Sequence, residues 1–385
     1  DDVIKLIKGP KGTNVILTVK KVDGSILDVT LTRDIIELEE AFAKSSIVEK
    51  DNIRYGLINL PRFYVDFQDY GQRNAATDVK NEIQKLKNQG IKGIIIDLRN
   101  NGGGSLQTVV DMAGYFIENG PIVQVKSTGG KKQILFDNDD HIEWNGALVL
   151  IVNEFSASAS EILAAAFQDY RRGIVLGSRQ TYGKGTVQNM IDLNKIISGN
   201  TYGDLGAMKL TTDKFYRING GSTQLEGVKS DVIFPNRYSY IEVGEKDQVN
   251  PLKWDKITPA FYETFINEDR FLSIIEKSNK RLESNPYVKL IDEQAKIIKQ
   301  RQDNSEFTLN YKDLIKQKEI EDLESAKFKK LDEFNNSLSF YPTKIDLEKI
   351  SSDSILTKKR ERWEETLSKD IYLEEAVNIL KDLNK

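Results

Sequence analysis

Between Thr77 and Gly177, short apolar runs alternate with helix-period stretches, and few architectures accept that order. The runs Ile91–Leu98 (IKGIIIDL), Ile122–Val125, Ala147–Val152 (ALVLIV) and Gly173–Gly177 are too short for helices and read as buried strands. Helical patterns lie among them at Thr77–Gln89, Leu106–Asn119 and Ala159–Arg171, the first two closed by Gly90 and Gly120 at their C-terminal caps. Strand–helix alternation predicts parallel βαβ units and an α/β fold.

The texture changes on either side of an α/β segment spanning 35–235. Residues 1–34 hold a helix end (DDVIKLIKG), a Gly9-Pro10 turn and two alternating strands, Asn14–Lys21 and Ile26–Thr32, joined at Val22-Asp23-Gly24. Two strands alone do not make a stable module. This stretch therefore reads as the end of a truncated domain. Beyond about Arg237 glycine nearly vanishes and Lys and Glu dominate. Apolar residues there recur at helical spacing in Val288–Gln302, Lys312–Asn335 and Trp363–Leu383. A charged helical C-terminal domain, 236–385, is predicted, its charge runs being solvated helix faces.

Composition removes whole classes of chemistry. The chain has 385 residues, one His and no Cys. That excludes disulfides, a cysteine nucleophile, Cys-based metal sites and an HExxH zinc site. A Ser-His-Asp triad would have to run through His141, which follows an acidic loop in DDHIEWNG and reads as a surface histidine. Fifty-five Lys+Arg against 59 Asp+Glu leave a net charge of −4, which favours neither nucleic acid nor an anionic membrane as partner. No run of 18 apolar residues and no signal-peptide pattern is present. If the chain is a hydrolase, its base is something other than His, and lysine is the candidate.

Two segments carry the material for such chemistry. In NEFSASASEI, Ser156, Ser158 and Ser160 follow the buried strand ALVLIV and enter a helix of small residues. A nucleophile at such a turn sits beside the helix N-terminus and its free N–H groups. After the next strand, Lys184 stands between two glycines in TYGKG, where partial desolvation would make its amine easier to deprotonate. A neutral amine beside a Ser hydroxyl is a competent general base. The third segment, DLRNNGGGSL (97–106), places consecutive glycines after a parallel strand, where backbone N–H groups can approach an anion. A phosphate loop is disfavoured: no G-x-G-x-x-G is present here. The Gly177–Lys184 stretch has five intervening residues where a P-loop has four, and Gly185 where it needs Ser or Thr. No S-x-x-K of the β-lactamase type occurs either.

In this order, IIIDLRNNGGG, VNEFSASASEI, TYGKGTVQ and KLTTDKFYRINGGSTQLEGVKSDVIFP resemble the carboxy-terminal processing peptidases, specifically the tail-specific proteases. The resemblance covers residues 1–235 and, more weakly, the charged tail. It implies a crotonase-like ββα protease core (35–235), a truncated PDZ remnant before it (1–34) and a helical domain after it. It also implies a Ser-Lys dyad, with Ser158 as nucleophile and Lys184 as base, Gln188 holding the amine and Asp169 associated with the site. The oxyanion hole falls on the amides of Ala159 and Gly103, with Gly104 as the alternative to Gly103. No metal, cofactor or nucleotide is implied. The expected substrates are proteins or peptides with apolar C termini, the expected compartment a bacterial periplasm or envelope, and an envelope adaptor is a possible partner. The Ser158–Lys184 separation of 26 is one longer than the family spacing, an extra residue that the loop 178–181 can absorb. The loop and strand with which a PDZ domain captures a tail would lie before Asp1. Two rival readings are a catalytically silent crotonase-like scaffold and acyl transfer on a small thioester, the latter by fold analogy alone.

Overall fold

In ALVLIV, strand alternation sends Leu148, Leu150 and Val152 to one apolar cluster and Val149 and Ile151 to another. Gly93–Asp97 divides likewise, with Ile94 and Ile96 opposite Ile95. A strand apolar on both faces needs cover on both, and the structure supplies it. The computed structural model describes all residues except 1, 22–23, 35–38, 198, 202 and 307. It divides into two compact units, Asp1–Ala41 and Phe42–Lys385.

The first unit has a helix, α1 (Asp2–Ile7), and an antiparallel hairpin of β1 (Asn14–Lys20) and β2 (Ile26–Thr32). Arg33 ties the two together, its guanidinium donating to the carbonyls of Ile7 (2.7 Å) and Asn14 (3.0 Å). Val22 and Asp23 of the expected turn lie outside the described residues, as do 35–38, where the α/β segment was expected to begin.

The second unit starts with β3 (Lys44–Lys50), β4 (Ile53–Asn59), the helix α2 (Ala75–Lys87), β5 (Gly93–Asp97) and α3 (Leu106–Gly114). It continues with β6 (Gly120–Ser127), β7 (Lys132–Asp137), β8 (Ala147–Val152), α4 (Ala159–Asp169) and β9 (Ile174–Gly177). Then follow β10 (Thr186–Asp192), β11 (Ala207–Tyr216), β12 (Val232–Ile233) and, far along the chain, β13 (Ser339–Tyr341). A seven-stranded sheet runs β12-β9-β8-β5-β4-β3-β13. Its neighbours are parallel from β12 to β4 and antiparallel from β4 to β13. The predicted parallel units are thus the centre of a mixed α/β fold, with α2, α3 and α4 packed on one face.

Within the α/β segment two expectations need correction. Ile122–Val125 is a strand but not a member of the parallel sheet. It lies in β6, inside a separate antiparallel sheet of order β10-β11-β6-β7. The helix expected over Leu106–Asn119 stops at Gly114, because the chain turns there to bury Phe116 and Ile117. Gly120 opens a strand instead of capping a helix, and the Tyr170 hydroxyl would lie 2.4 Å from any Cβ there.

In the tail, the stretch expected as Trp363–Leu383 is two helices, Ser354–Ser368 and Ile371–Leu383, because Asp370 caps the second through the N–H of Tyr372. Lys312–Asn335 likewise breaks into Tyr311–Ala326 and Lys329–Asp332, and the helix Glu268–Ser284 was not anticipated. Tail residues cover the sheet's second face, with Leu373, Ala376, Val377 and Leu380 fully buried there. Gly93 is small so that Leu380 can approach: a Cβ would meet it at 2.9 Å. Leu380→Ala therefore leaves a cavity against β5 and is expected to lower unfolding free energy by about 2–5 kcal/mol in denaturant titrations.

Candidate active site

The serine turn follows β8 and leads into α4. Ser158 adopts φ 57°, ψ −112°, a conformation L-residues rarely hold, which costs of order 1–3 kcal/mol. Its neighbours hold it there. The Ser156 hydroxyl donates to the Leu98 carbonyl (2.8 Å) and the Ser160 hydroxyl to the Asn101 carbonyl (2.9 Å), so both are buried and spoken for. Of the three serines only Ser158 lines the adjoining cavity of about 560 Å³.

The glycine loop after β5 forms the facing wall. Asn101 organises it, donating to the Leu60 carbonyl (2.8 Å) and accepting the N–H of Gly103 (2.9 Å) on its Oδ1. The Ala157 N–H returns to the Asn101 carbonyl (3.0 Å), stitching loop to turn. Gly103 has φ +97°, and a Cβ there would press on Ser158 Cβ at 2.8 Å. Gly104 has φ +151°, with the Phe63 carbonyl oxygen 2.0 Å from any Cβ. The expected oxyanion donors divide on this geometry. The Gly103 N–H is taken by Asn101, whereas those of Gly104 and Ala159 have no protein acceptor among the described residues. Of the glycine pair, Gly104 is the one with a donor to offer.

Lys184 reaches the same cavity from the loop before β10. Gly183 sits at φ +90°, and Gly185 lets the chain pass so close to Gln224 that a Cβ would meet its backbone N at 2.6 Å. The Gly185 N–H also donates to Gln224 Oε1 (2.8 Å). The Lys184 amine donates to Gln188 Oε1 at 3.2 Å, and no hydrogen bond joins it to the Ser158 hydroxyl. The register of β10 against β11 shifts between Val187 and Gln188, just where the amine's partner stands. Burial pushes the amine's pKa down, and the charge of Lys209 adds to this against the opposing pull of Glu245 and Glu161.

What joins the two loops is Glu161, a residue that the motif contains but to which no role was attached. Its carboxylate is fully buried and accepts four hydrogen bonds. Oε1 takes the Thr181 hydroxyl and the Gly183 N–H, both at 2.7 Å, and Oε2 takes the N–H of Ser158 (2.7 Å) and of Lys184 (3.0 Å). The backbone of the serine and that of the lysine thus hang on one carboxylate. Its sequence signal is S-x-x-E opening a helix, normally no more than a capping box. Burial raises its pKa to about 7, against all four donors.

Asp169 is not at this cavity. It lies eleven residues further along α4, about 16 Å at 1.5 Å per residue. Arg217 pairs with it in two-point fashion (2.6 and 3.1 Å), and Asn219 donates at 2.8 Å. The pair clamps the end of α4 to the chain beyond β11, relieving a carboxylate at a helix C-terminus. His141 is largely exposed and faces Glu143 at 3.4 Å.

Comparison with known proteins decides the family. Residues 54–234 match the family described as peptidase family S41, and residues 238–385 match the C-terminal domain of tail specific protease. Residues 54–234 belong to peptidase family S41. The tail-specific protease of Haemophilus influenzae is 39% identical over 317 residues, 81% of this chain and 44% of that protein. The carboxy-terminal processing protease CtpA of Bacillus subtilis is 30% identical over 233 residues, 60% of this chain and 45% of that one. A solved photosystem II D1 C-terminal processing protease aligns at 25% identity and a TM-score of 0.42, covering 60% of this chain and 58% of its own. The chain spans about half the length of the curated relatives it matches. Among the described residues no helix is long and apolar enough to cross a membrane.

For this site, Glu161→Gln is diagnostic. A Gln amide turns its NH₂ toward donors, leaving buried N–H groups unpaired at about 1–3 kcal/mol each. Both stability, by denaturant midpoint, and peptide cleavage should fall. Since burial raises the native pKa above the usual glutamate value of 4.5, ionising Glu161 costs the wild type stability as pH climbs from there through about 7. That slope should be absent from the Gln variant. Asp169→Ala leaves the partly buried Arg217 with only Gln168 as side-chain acceptor and should cost stability, by at most about 3–5 kcal/mol, with cleavage per folded molecule retained.

Proposed function

We propose that this chain is the catalytic part of a serine endopeptidase that cleaves protein substrates recognised by their C-terminal tails. Ser158 is the nucleophile and Lys184 the general base. The observation that supports it most is the cavity lined by both side chains, their backbones joined through Glu161. A lysine whose pKa is pushed down by burial is a suitable base, and the single histidine, His141, does not line the cavity.

In the proposed sequence, neutral Lys184 accepts the Ser158 proton as the hydroxyl oxygen attacks the peptide carbonyl. The N–H groups of Ala159 and Gly104 donate to the oxyanion at the N-terminus of α4. Protonated Lys184 then gives its proton to the leaving amine, forming an acyl-enzyme. Lys184 next takes a proton from water as its oxygen attacks the ester carbonyl, and returns that proton to the Ser158 oxygen as the acyl bond breaks, freeing the acid product and Ser158. Gln188 orients the amine between these transfers. Asp169 supports the fold through Arg217 and touches no reacting atom.

The same reading takes 35–235 as a crotonase-like core and 1–34 as the end of a PDZ domain, in keeping with the hairpin β1–β2. Substrates with apolar C termini, a periplasmic or envelope location and an adaptor docking on 236–385 follow from the family resemblance. The silent-scaffold alternative is disfavoured because a chain released from catalysis has no need of the strained Ser158 backbone.

The test is cleavage of an unfolded protein with an apolar C terminus. Lys184→Ala should lower kcat roughly 100- to 10,000-fold, and Ser158→Ala at least as far. Undiminished cleavage by either variant rejects the assignment. Because only the neutral amine accepts a proton, kcat/KM should rise with pH, along a limb whose midpoint lies below the usual lysine value of 10.5.

A further inference from the structure

The cavity beside Ser158 is electrostatically one-sided. Among the described residues its lining includes three cationic side chains, Arg62, Lys184 and Lys209, and no Asp or Glu. The neighbouring cavity of about 570 Å³ shares Lys184 and Gln188 with it and contains an acid, Glu245. Lys184 is held by Gln188, whereas Arg62 and Lys209 have no carboxylate partner among the described residues.

The two unpaired cations stand on different walls, each on a fixed backbone. Arg62 precedes Phe63, whose N–H donates to the Gly103 carbonyl (3.1 Å) and whose carbonyl accepts from Ser105 (2.9 Å), so it belongs to the glycine-loop wall. Lys209 lies on β11 opposite Met190 of β10, the strand that carries Gln188. Both side chains line the cavity onto which Ser158 opens.

We propose that Arg62 and Lys209 form a subsite for a carboxylate on the polypeptide substrate, within a few residues of the bond Ser158 attacks. The inference rests on the Ser158–Lys184 reading. Two cations reaching one group from opposite walls give it an orientation that a single exposed ion pair does not. The carboxylate comes either from the chain terminus or from an Asp or Glu side chain. The site would then favour cuts close to a charged end, independently of any tail-binding module elsewhere. Lys209 has a second effect: its positive charge disfavours protonation of the Lys184 amine.

The experiment uses the 385-residue chain and matched peptides that end either close to or far from the scissile bond. Each is made as free acid, as C-terminal amide and as an amide carrying Asp at the near position. The near free acid should show a KM roughly five- to tenfold below its amide at low salt, with kcat similar, the signature of uniform binding. The gap should close in about 0.5 M salt, where the Debye length shrinks to a few ångströms. The far pair should show no such gap. Asp-amide matching the free acid means that side-chain carboxylates are also read, and failure to match means that the subsite reads the terminus. Arg62→Gln/Lys209→Gln should abolish the acid preference, and Lys209→Gln alone should move the acid limb of kcat/KM to higher pH. Equal KM for near acid and amide, or a preference that survives in the double variant, overturns the subsite. Cleavage that persists in Ser158→Ala overturns the dyad reading instead.

Discussion

One buried carboxylate governs the arrangement of the cleft. Glu161 accepts from Ser158, Thr181, Gly183 and Lys184, so its two oxygens join the serine turn to the lysine loop. An acceptor-only group is the natural answer to four converging donors. The positive φ of Ser158 persists only because surrounding bonds over-determine it, and the N–H of Ser158 is the group that Glu161 holds. The arrangement carries an internal tension. Burial favours the protonated acid and the four donors favour the carboxylate, so fold stability and site alignment pull Glu161 toward opposite ionisation states.

Around this carboxylate the sheet acts as a jig. Strands β5 and β8 pair in parallel, so the loops leaving them emerge side by side. The Ser156 and Ser160 hydroxyls then bond one loop to the other through the main-chain carbonyls of Leu98 and Asn101. Gly103, Gly104 and Gly185 permit backbone approaches that a Cβ would forbid. The tail takes part in the same architecture. Arg99, next to the glycine loop, pairs with Asp97 and with Asp370, which also caps the final helix. Strand β13 lengthens the sheet at β3.

What was legible in the sequence followed from local physics. Runs such as IIID and ALVLIV have no stable home except a strand covered on both faces, and helices such as α2 have capping residues at both ends. The motifs located the cleft because its parts are contiguous segments. The failures are non-local. Nothing within IVQV distinguishes a parallel central strand from one in a second, antiparallel sheet; its pairing with β11 does. The break at Lys369–Asp370 depends on a cap that also serves Arg99, a partner 271 residues away. Asp169 was placed by resemblance and lies where Arg217, far along the chain, can neutralise it. The role of Glu161 was hidden because S-x-x-E looks like an ordinary cap until the lysine loop folds onto the same carboxylate. Gly103 and Gly104 could not be ranked without knowing where the Asn101 side chain bonds.

The most direct test of the account is a crystal structure of the chain with a substrate-like peptide trapped covalently as an acyl or boronate adduct. The account predicts a bond to Ser158 Oγ, the oxyanion on the N–H groups of Ala159 and Gly104, and Glu161 still bonded to both loops. Lys184 Nζ should have moved to within about 2.6–3.2 Å of the reacting oxygen. An adduct on another residue, or Lys184 remaining on Gln188 and out of reach of a modified Ser158, would contradict it.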